Sequence, residues 1–168
     1  MDSLQADVET ERLTLRPLAE DDAETWLRLM ADPAAKRLLH TPEPVTDRER
    51  ALAGLRAWIA HFADGVGMYS VRVRDTGETA GFVGFVPREL DWGRDVELGW
   101  LLLPAFWGRG YATEAARALL PLRPARVVSM IRVENDASEN VARKLGMQIE
   151  RTVDYYGFET HVWTTRPA

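Results

Sequence analysis

The 168-residue sequence predicts one α/β domain built on a mixed, mostly antiparallel twisted sheet. A hairpin comes first, because strand-like runs at residues 69–74 and 79–87 flank an Asp-Thr-Gly turn. A strand from Val96, a glycine turn, a helix and another strand follow, in the order of a right-handed crossover between parallel strands. A second hairpin, at 148–155 and 158–165, ends the chain. Antiparallel strands before the crossover argue against a simple dinucleotide-binding unit.

The amino-terminal part is predicted to contain a strand and a helix. Residues 1–9 are expected to be a poorly ordered lead-in. Residues 12–16 alternate polar and apolar side chains, as a half-buried strand does. A helix with one apolar face is expected to begin at Asp21 or Asp22 and to end at Pro33.

A second helix is predicted after a loop. Residues 34–39 are expected to form a short turn that leads into the loop around His40. Thr46 and Glu49 have the spacing of a capping box, which marks a helix start. This helix is expected to end at residues 64–65, and both helices have a core-facing apolar stripe.

The central stretch is a strand followed by a glycine turn and a helix. Residues 96–103 form a nearly unbroken apolar run, which Pro104 ends because proline has no N–H for the ladder. Gly108 and Gly110 are predicted to form the turn, and residues 111–120 are predicted to form a helix.

The remaining elements complete the crossover. Pro121 and Pro124 are expected to cut the helix short, and residues 127–133 form an apolar strand. Asn135 or Asp136 is then expected to cap a last helix before the terminal hairpin.

Composition limits the class of protein and of partner. The length suits one domain with its own core. A net charge of −5 argues against a nucleic-acid partner and weakly favours cationic substrates such as amines. The absence of cysteine excludes disulfides, a thiolate zinc site and a cysteine nucleophile. No signal peptide or apolar run of membrane length occurs, so a cytoplasmic location without a membrane partner is expected.

The glycine turn is a candidate anion site. Gly108 and Gly110 let the backbone approach a ligand, and the first N–H groups of the helix have no intrahelical acceptor. A P-loop is excluded because a Tyr-Ala pair stands where Lys-Ser/Thr is required. A dinucleotide fingerprint is weakened by Thr113 in place of the third glycine, although Glu134 is plausibly spaced for a ribose-binding acid. A tight turn that binds nothing also stays open.

Several stretches resemble the GNAT-type N-acetyltransferases. Residues 107–115, Trp-Gly-Arg-Gly-Tyr-Ala-Thr-Glu-Ala, follow a Glu-Leu-Gly-Trp strand and resemble the acetyl-CoA loop of the RimJ/RimL-like branch, which acetylates protein N-termini, including those of ribosomal proteins. Gly110 and Ala112 fill the last two places of the family signature Q/R-x-x-G-x-G/A, and Trp107 replaces its first. The resemblance implies the GNAT fold, whose sheet has a V-shaped split between two central parallel strands and helices on both faces.

The resemblance also implies acetyl-CoA as the cosubstrate. Backbone N–H groups of residues 108–113 would bind the pyrophosphate, carbonyl groups around Leu101 and Leu103 the pantetheine amides, and Asn135 the pantetheine arm. The full set of expected contacts is Leu101, Leu102, Leu103, Gly108, Arg109, Gly110, Tyr111, Ala112, Thr113, Asn135 and Ser138. No metal is expected, because three scattered histidines without an acid cluster do not make a metal site.

Two catalytic residues are expected. Glu97 is the candidate general base, since a carboxylate in an apolar strand needs a reason and the family places a base there. The alternatives are that it points to solvent or pairs with Arg132. Ala142 occupies the position where many relatives carry a tyrosine acid, so Ser138 or water is expected to protonate the departing thiolate. Ser138 serves equally well as an ordinary first-turn residue of its helix.

The acceptor side is less defined. Tyr155, Tyr156 and His161 lie near the hairpin that borders the acceptor site in the family, and His40 lies in the loop after the first helix. The function expected is acetyl transfer to a primary amine, either a protein N-terminus or a small amine, by a monomer or a homodimer. The alternatives are an acyl-CoA sensor of the same fold without turnover, and a plain nucleotide-binding protein.

Overall fold

An eight-stranded sheet, ordered β1-β2-β3-β4-β5-β6-β8-β7, forms the centre of the computed structural model, which describes residues 6–64, 67–122 and 126–165. The β5–β6 pair is parallel and all other pairs are antiparallel. The strands are β1 (Val8–Glu9), β2 (Leu13–Pro17), β3 (Met68–Val73), β4 (Thr79–Leu90), β5 (Gly93–Leu102), β6 (Val128–Arg132), β7 (Gln148–Tyr155) and β8 (Phe158–Thr164).

Helices cover both faces of the sheet, as expected. They are α1 (Ala23–Ala31), α2 (Pro33–Lys36), α3 (Arg48–Ala60), α4 (Tyr111–Leu119) and α5 (Asp136–Lys144). Residues 80–86 of β4 are all buried, which requires packing on both sides. On one side the Trp26 ring of α1 lies 5.5 Å from the Phe82 ring, and its indole N–H donates to the Ala51 carbonyl of α3 (2.7 Å).

The sheet splits between β5 and β6. These strands share a single registered pair, Glu97 with Val128, and then separate. The crossover through α4 is short, as predicted, since α4 ends at Leu119 and Pro121 lies in the 3₁₀ turn that follows. Pro124 lies outside the described residues. The V-shaped split that the resemblance implied is therefore confirmed.

Two glycines in β4 allow neighbouring backbone to approach closely. A Cβ on Gly81 would lie 2.3 Å from the Leu101 carbonyl oxygen, and one on Gly84 would lie 2.3 Å from the Gly67 carbonyl oxygen. Both residues have positive φ angles, 152° and 156°. The register with β3 shifts by one residue beside Gly81, so this glycine marks both a bulge and a close approach of two strands.

Two expectations for the amino-terminal half are wrong in detail, and a third lies partly outside the described residues. Val8–Glu9 pairs with β2, so the lead-in is shorter than nine residues; residues 1–5 lie outside the described chain. Pro33 begins α2, because Asp32 caps it by accepting the Ala35 N–H, so residues 34–39 are not a simple turn. The expected end at 64–65 falls partly outside the described residues.

The capping box that was expected to start α3 does not form. Asp47 is the N-cap, and its carboxylate accepts the Arg50 N–H at 2.7 Å. Asp is as good a capping residue as Thr, and it stands one position later than Thr46. The helix ends at Ala60 and continues as a 3₁₀ turn through residue 64.

Candidate active site

A cleft of about 550 Å³ lies where β5 and β6 separate. Its walls come from α1, the end of α2 and the segment after it, α3, the sheet, the start of α5 and the β7–β8 turn. It brings together seven of the predicted site residues: His40, Glu97, Leu101, Asn135, Ser138, Tyr155 and Tyr156. The split of the sheet is thus the place where the candidate catalytic and acceptor groups meet.

Glu97 lies in the cleft as half of an ion pair. Its side chain is only 12% exposed, and its Oε2 accepts a hydrogen bond from Nε of Arg88 at 2.5 Å. Its Oε1 accepts the Met130 N–H at 3.4 Å, which links β5 to β6. The carboxylate therefore neither points to solvent nor pairs with Arg132, the two alternatives considered from the sequence.

Arg88 is held charged by this contact. Burial opposes its positive charge, but the charge and the hydrogen bond of Glu97 outweigh burial, so the pKa of Arg88 lies above its ordinary value. The two residues project from the same face of the β4–β5 hairpin, since Arg88 pairs with Asp95 and Glu97 follows two residues later. The candidate base is therefore an ion-paired carboxylate rather than an isolated one.

Ser138 lies on the opposite side of β5 from the ion pair, in the first turn of α5. The indole N–H of Trp100 donates to its Oγ at 3.2 Å. The backbone N–H of Ser138 donates to Oδ1 of Asn135, which makes Asn135 the N-cap (3.2 Å), as predicted. Because Oγ accepts from the indole, its own proton is available to another acceptor.

The glycine turn has the backbone of an anion site. Gly108 and Gly110 have φ angles of 70° and 79°, and Gly110 is the N-cap of α4. A Cβ on Gly108 would meet nothing within 4 Å, so the turn is open on that side. The first N–H groups of α4 lack intrahelical acceptors, and the helix dipole favours an anion there. The turn does not line the cleft; Gly110 and Thr113 line a second groove of about 530 Å³.

Arg12, the residue before β2, holds the turn in place. Its guanidinium binds the Glu114 carboxylate (2.7 Å), donates to the Arg109 carbonyl oxygen (2.9 Å) and lies over the Tyr111 ring. Thr10 Oγ1 also donates to Glu114 (2.7 Å). Burial opposes the charge of Glu114, but the hydrogen bonds from Thr10 and Arg12 hold its pKa below the usual value. The turn is thus fixed to the short connection between β1 and β2.

Of the three leucines expected to contact the pantetheine arm, only Leu102 directs its main-chain groups to the split. The Leu103 N–H donates to the Ala80 carbonyl of β4 (2.9 Å), and the Ser129 hydroxyl of β6 donates to the Leu98 carbonyl (2.7 Å). Alternate residues of an antiparallel strand direct their N–H and C=O groups to opposite neighbours. The groups of Leu101 and Leu103 therefore point to β4, which corrects the prediction.

Trp100 and Leu102 consequently present their main-chain groups to the split. The Leu102 carbonyl oxygen already accepts the indole N–H of Trp107 at 2.8 Å. A carbonyl oxygen has two acceptor positions, so one remains for a ligand amide. Trp107 replaces the first residue of the family signature, and its hydrogen bond links the end of β5 to the residue before the glycine turn.

His40, Tyr155 and Tyr156 form an aromatic group on the acceptor side. The His40 and Tyr155 rings lie 4.9 Å apart, and the two tyrosine rings 4.7 Å apart. Nε2 of His40 hydrogen-bonds Oγ1 of Thr160 (2.9 Å). Burial, with the nearby charges of Arg132 and Arg88, lowers the pKa of His40 to about 4, so His40 is neutral near pH 7.

His161 lies away from this group. It is absent from the lining of the cleft, and its Nδ1 hydrogen-bonds the buried carboxylate of Glu139 in α5. Neighbouring residues of a strand point to opposite faces, so His161 cannot share the face that carries Thr160 beside His40. We therefore do not retain His161 as a substrate contact.

Three residues of the site were missed from the sequence. Arg88 had a usable signal, because the tight turn after β4 fixes the hairpin register and places Arg88 diagonal to Glu97. Arg12 and the buried Lys36, which lines the cleft, had none: Arg12 contacts a residue 102 positions away, and the burial of Lys36 arises only in the folded chain. Within the described residues, no group of three or more His, Asp or Glu could bind a metal.

Comparison with known proteins places this architecture. Residues 12–148 match the family model "Acetyltransferase (GNAT) domain". The uncharacterized N-acetyltransferase YoaA of Bacillus subtilis is 25% identical over 158 residues, covering 90% of this chain and 88% of YoaA. The uncharacterized protein YkkB of Bacillus subtilis is 34% identical over 94 residues, 53% of this chain and 55% of YkkB.

A solved structure shows the same fold over most of the chain. RimL, the ribosomal L7/L12 α-N-protein acetyltransferase in complex with coenzyme A, superposes with a TM-score of 0.81 at 22% identity and covers 96% of this chain and 98% of RimL. At that identity the likeness concerns the fold alone. None of the helices in the described part of the chain has the length and hydrophobicity to cross a membrane.

Proposed function

The chain belongs to the acetyltransferase (GNAT) family, and we propose that it transfers the acetyl group of acetyl-CoA to a primary amine by direct attack within a ternary complex. The observation that carries the proposal is the split of the sheet, where Glu97 and Ser138 reach one cleft from neighbouring elements. Such a site can hold a thioester beside an amine and needs no covalent intermediate. The lack of cysteine is therefore no obstacle.

The glycine turn and the split of the sheet suit the two parts of acetyl-CoA that they would bind. The open glycine turn and the first N–H groups of α4 suit its pyrophosphate, and Asn135 and the main-chain groups of Trp100 and Leu102 lie along the split for the pantetheine arm. The RimL structure is a complex with coenzyme A, which supports the same cosubstrate here. Acetyl-CoA supplies an activated acyl group, and this chain's part is to position it.

The proposed roles follow from the contacts. Glu97 accepts the proton that the attacking amine loses, directly or through one water, and Arg88 balances its charge. As the carbon–sulfur bond breaks, the Ser138 hydroxyl donates a hydrogen bond to the sulfur and passes it a proton while taking one from water, so that serine stays neutral; its oxygen can accept the Trp100 N–H at the same time. A thiol has an ordinary pKa near 8.5, so this donor is an aid and water can replace it.

The acceptor class has two candidates. A protein N-terminus is the first, because the glycine-turn sequence resembles the RimJ/RimL-like branch and the RimL structure shares the fold. A small amine is the second, because aromatic and charged side chains enclose the cleft on the acceptor side. Membership of the branch and the identity of the acceptor are both part of the proposal.

A coenzyme A release assay tests the proposal. Purified protein with acetyl-CoA is supplied with peptides carrying free N-termini, with the same peptides blocked at the N-terminus, and with small primary amines. Thiol release is expected with free amines only, together with a mass increase of one acetyl group in the acceptor. Binding of coenzyme A without turnover of any amine would overturn the enzyme proposal and favour a sensor.

A further inference from the structure

The lining of the cleft is more basic than the chain that builds it. The chain has a net charge of −5, from which an affinity for cations was weakly expected. The lining of the cleft carries four basic side chains and two carboxylates: Lys36, Arg50, Arg88, Arg132, Glu43 and Glu97. The local charge is thus opposite in sign to the overall charge, so the net charge of the chain does not describe the site.

Lys36 is the buried member of this set without a carboxylate partner. Only 3% of the residue is exposed, and within the described chain its Nζ makes one hydrogen bond, to Oγ1 of Thr41 (3.2 Å), and no ion pair. An ammonium has three donors. Burial lowers the pKa of Lys36, the more distant Glu43 opposes the shift, and Arg50 adds to it. A buried, unpaired charge is unfavourable, so the fold keeps this ammonium at a cost in stability.

The position of Lys36 separates it from the cosubstrate. It ends α2, and its neighbours in the lining belong to the segment after α2 and to α3, whereas the glycine turn lines the other groove. An anion beside Lys36 would therefore belong to the acceptor and not to the pyrophosphate of coenzyme A. Glu97, which would receive the proton of the amine, lines the same cleft.

We infer, on the basis of the proposed function, that Lys36 binds an anionic group of the acceptor, and that the acceptor is a small amine carrying a carboxylate or a phosphate-type group. Such a molecule places its amine near Glu97 and its anion at Lys36, where it completes the hydrogen bonds of the ammonium. Polyamines and aminoglycosides, which carry further cations, are disfavoured by the basic lining.

Matched amines test the inference through turnover. The panel contains ω-amino acids of increasing chain length, ω-aminoalkyl phosphonates of the same lengths, and the amides of the amino acids. We expect kcat/KM for an acid to exceed that for its amide by about 10- to 150-fold, the range that a hydrogen bond to a charged group contributes. The carboxylate and phosphonate arms distinguish the two anion types. Peptides with free N-termini test the protein acceptor as a separate outcome.

The variant Lys36→Met tests the residue itself, since it keeps an unbranched chain and removes the charge. It should abolish the preference for acid over amide. Its melting temperature should be unchanged or higher, because an unpaired buried charge is gone. Lys144→Met, at the exposed end of α5, is the control among the chain's two lysines. Lys144 lines the groove of the glycine turn, so any effect on the cosubstrate should be equal for acid and amide and should keep the preference.

A binding measurement that needs no turnover distinguishes the failure of the anion site from the failure of the proposed acetyl transfer. Calorimetric titration with the N-acetylated acids and amides measures the anion contact even if no amine reacts. Tighter binding of acids than of amides to the wild type, lost in Lys36→Met, supports the anion site whatever the fate of the enzyme proposal. Equal binding of acids and amides, or an unchanged preference in Lys36→Met, would overturn the inference and leave acetyl transfer standing. A lower melting temperature with an unchanged preference would assign Lys36 a structural role.

Discussion

Glu97→Gln is the variant that separates a catalytic carboxylate from a structural one. The amide keeps the shape of the side chain and an oxygen that can accept the Met130 N–H, but it cannot take a proton or balance Arg88. If Glu97 is the general base, kcat/KM should fall by about 10²- to 10⁴-fold. That range corresponds to roughly 3–5 kcal/mol of transition-state stabilisation.

The loss of stability should be smaller than the loss of rate. Removing one partner of a fully buried ion pair costs about 3–5 kcal/mol, whereas an exposed pair contributes about 0–1 kcal/mol. The side chain of Arg88 is 35% exposed and that of Glu97 12%, so we expect about 1–2 kcal/mol for leaving Arg88 unpaired. For a domain of this size the melting temperature should fall by roughly 3–6 °C.

Two further proteins make the assay decisive. Arg88→Met with Glu97→Gln removes the unpaired charge, so it should regain most of the melting temperature and remain slow. Glu89→Gln, which breaks the exposed Glu89–Arg94 pair of the same hairpin, should change neither property. Coenzyme A affinity, measured by titration, should be near wild type in all three. Full activity of a folded Glu97→Gln protein would refute the role of Glu97, and regained activity in the double variant would make the pair structural.

Three other perturbations address the turn, the thiolate and the cleft histidine. Gly110→Val should weaken coenzyme A binding, measured by calorimetry, at least about tenfold, or 1.4 kcal/mol. Gly77→Val is equally strained at φ 73° but remote from the turn, so it should bind coenzyme A like the wild type. Equal affinities of the two variants for coenzyme A would contradict the proposed site. Ser138→Ala should lower kcat by about ten- to a hundredfold at most with little change in acetyl-CoA affinity, and Trp100→Phe should give part of that loss; an unchanged kcat would assign the proton to water. The pKa of His40 is lowered to about 4 from 6.5, so as the pH falls the unfolded chain binds the extra proton first. The free energy of unfolding should therefore fall by up to about 2 kcal/mol between pH 6.5 and 4, after allowance for solvent screening. In denaturant titrations, the free energy of unfolding of His40→Gln should depend less on pH over this range, and identical pH dependences would contradict the assignment.

Local sequence signals predicted most of the fold because each acts over a few residues. The Asp-Thr-Gly and Tyr-Gly turns specify their hairpins through positive φ angles at Gly77, Tyr156 and Gly157. Pro104 ends β5 and Gly110 starts α4 for equally local reasons. Where two adjacent residues could do the same job, as at the start of α3, the sequence alone could not choose between them.

The contacts of the site depended on long-range packing and were harder to predict. Lys36 was overlooked because nothing near it in the sequence indicates that the segment after α2 folds over its ammonium. The partner of Glu97 was missed because Arg132 was considered without the register of β4. The orientation of the Leu101 and Leu103 carbonyls required the phase of the β4–β5 ladder, which a single Leu103–Ala80 hydrogen bond fixes.

The point at which the sheet divides also explains why the candidate base is on β5. Glu97 is the last residue of β5 in register with β6, and its carboxylate reaches the Met130 N–H across the opening. The candidate base is therefore held at the only registered pair between β5 and β6 in the described chain, and the β5 residues beyond it have no partner in β6. Gly99, two residues on and on the same face, has no side chain, and a Cβ there would meet nothing within 4 Å. The floor of the cleft beside the carboxylate is consequently bare backbone, which leaves room for the acyl group and the amine to meet next to a fixed charge.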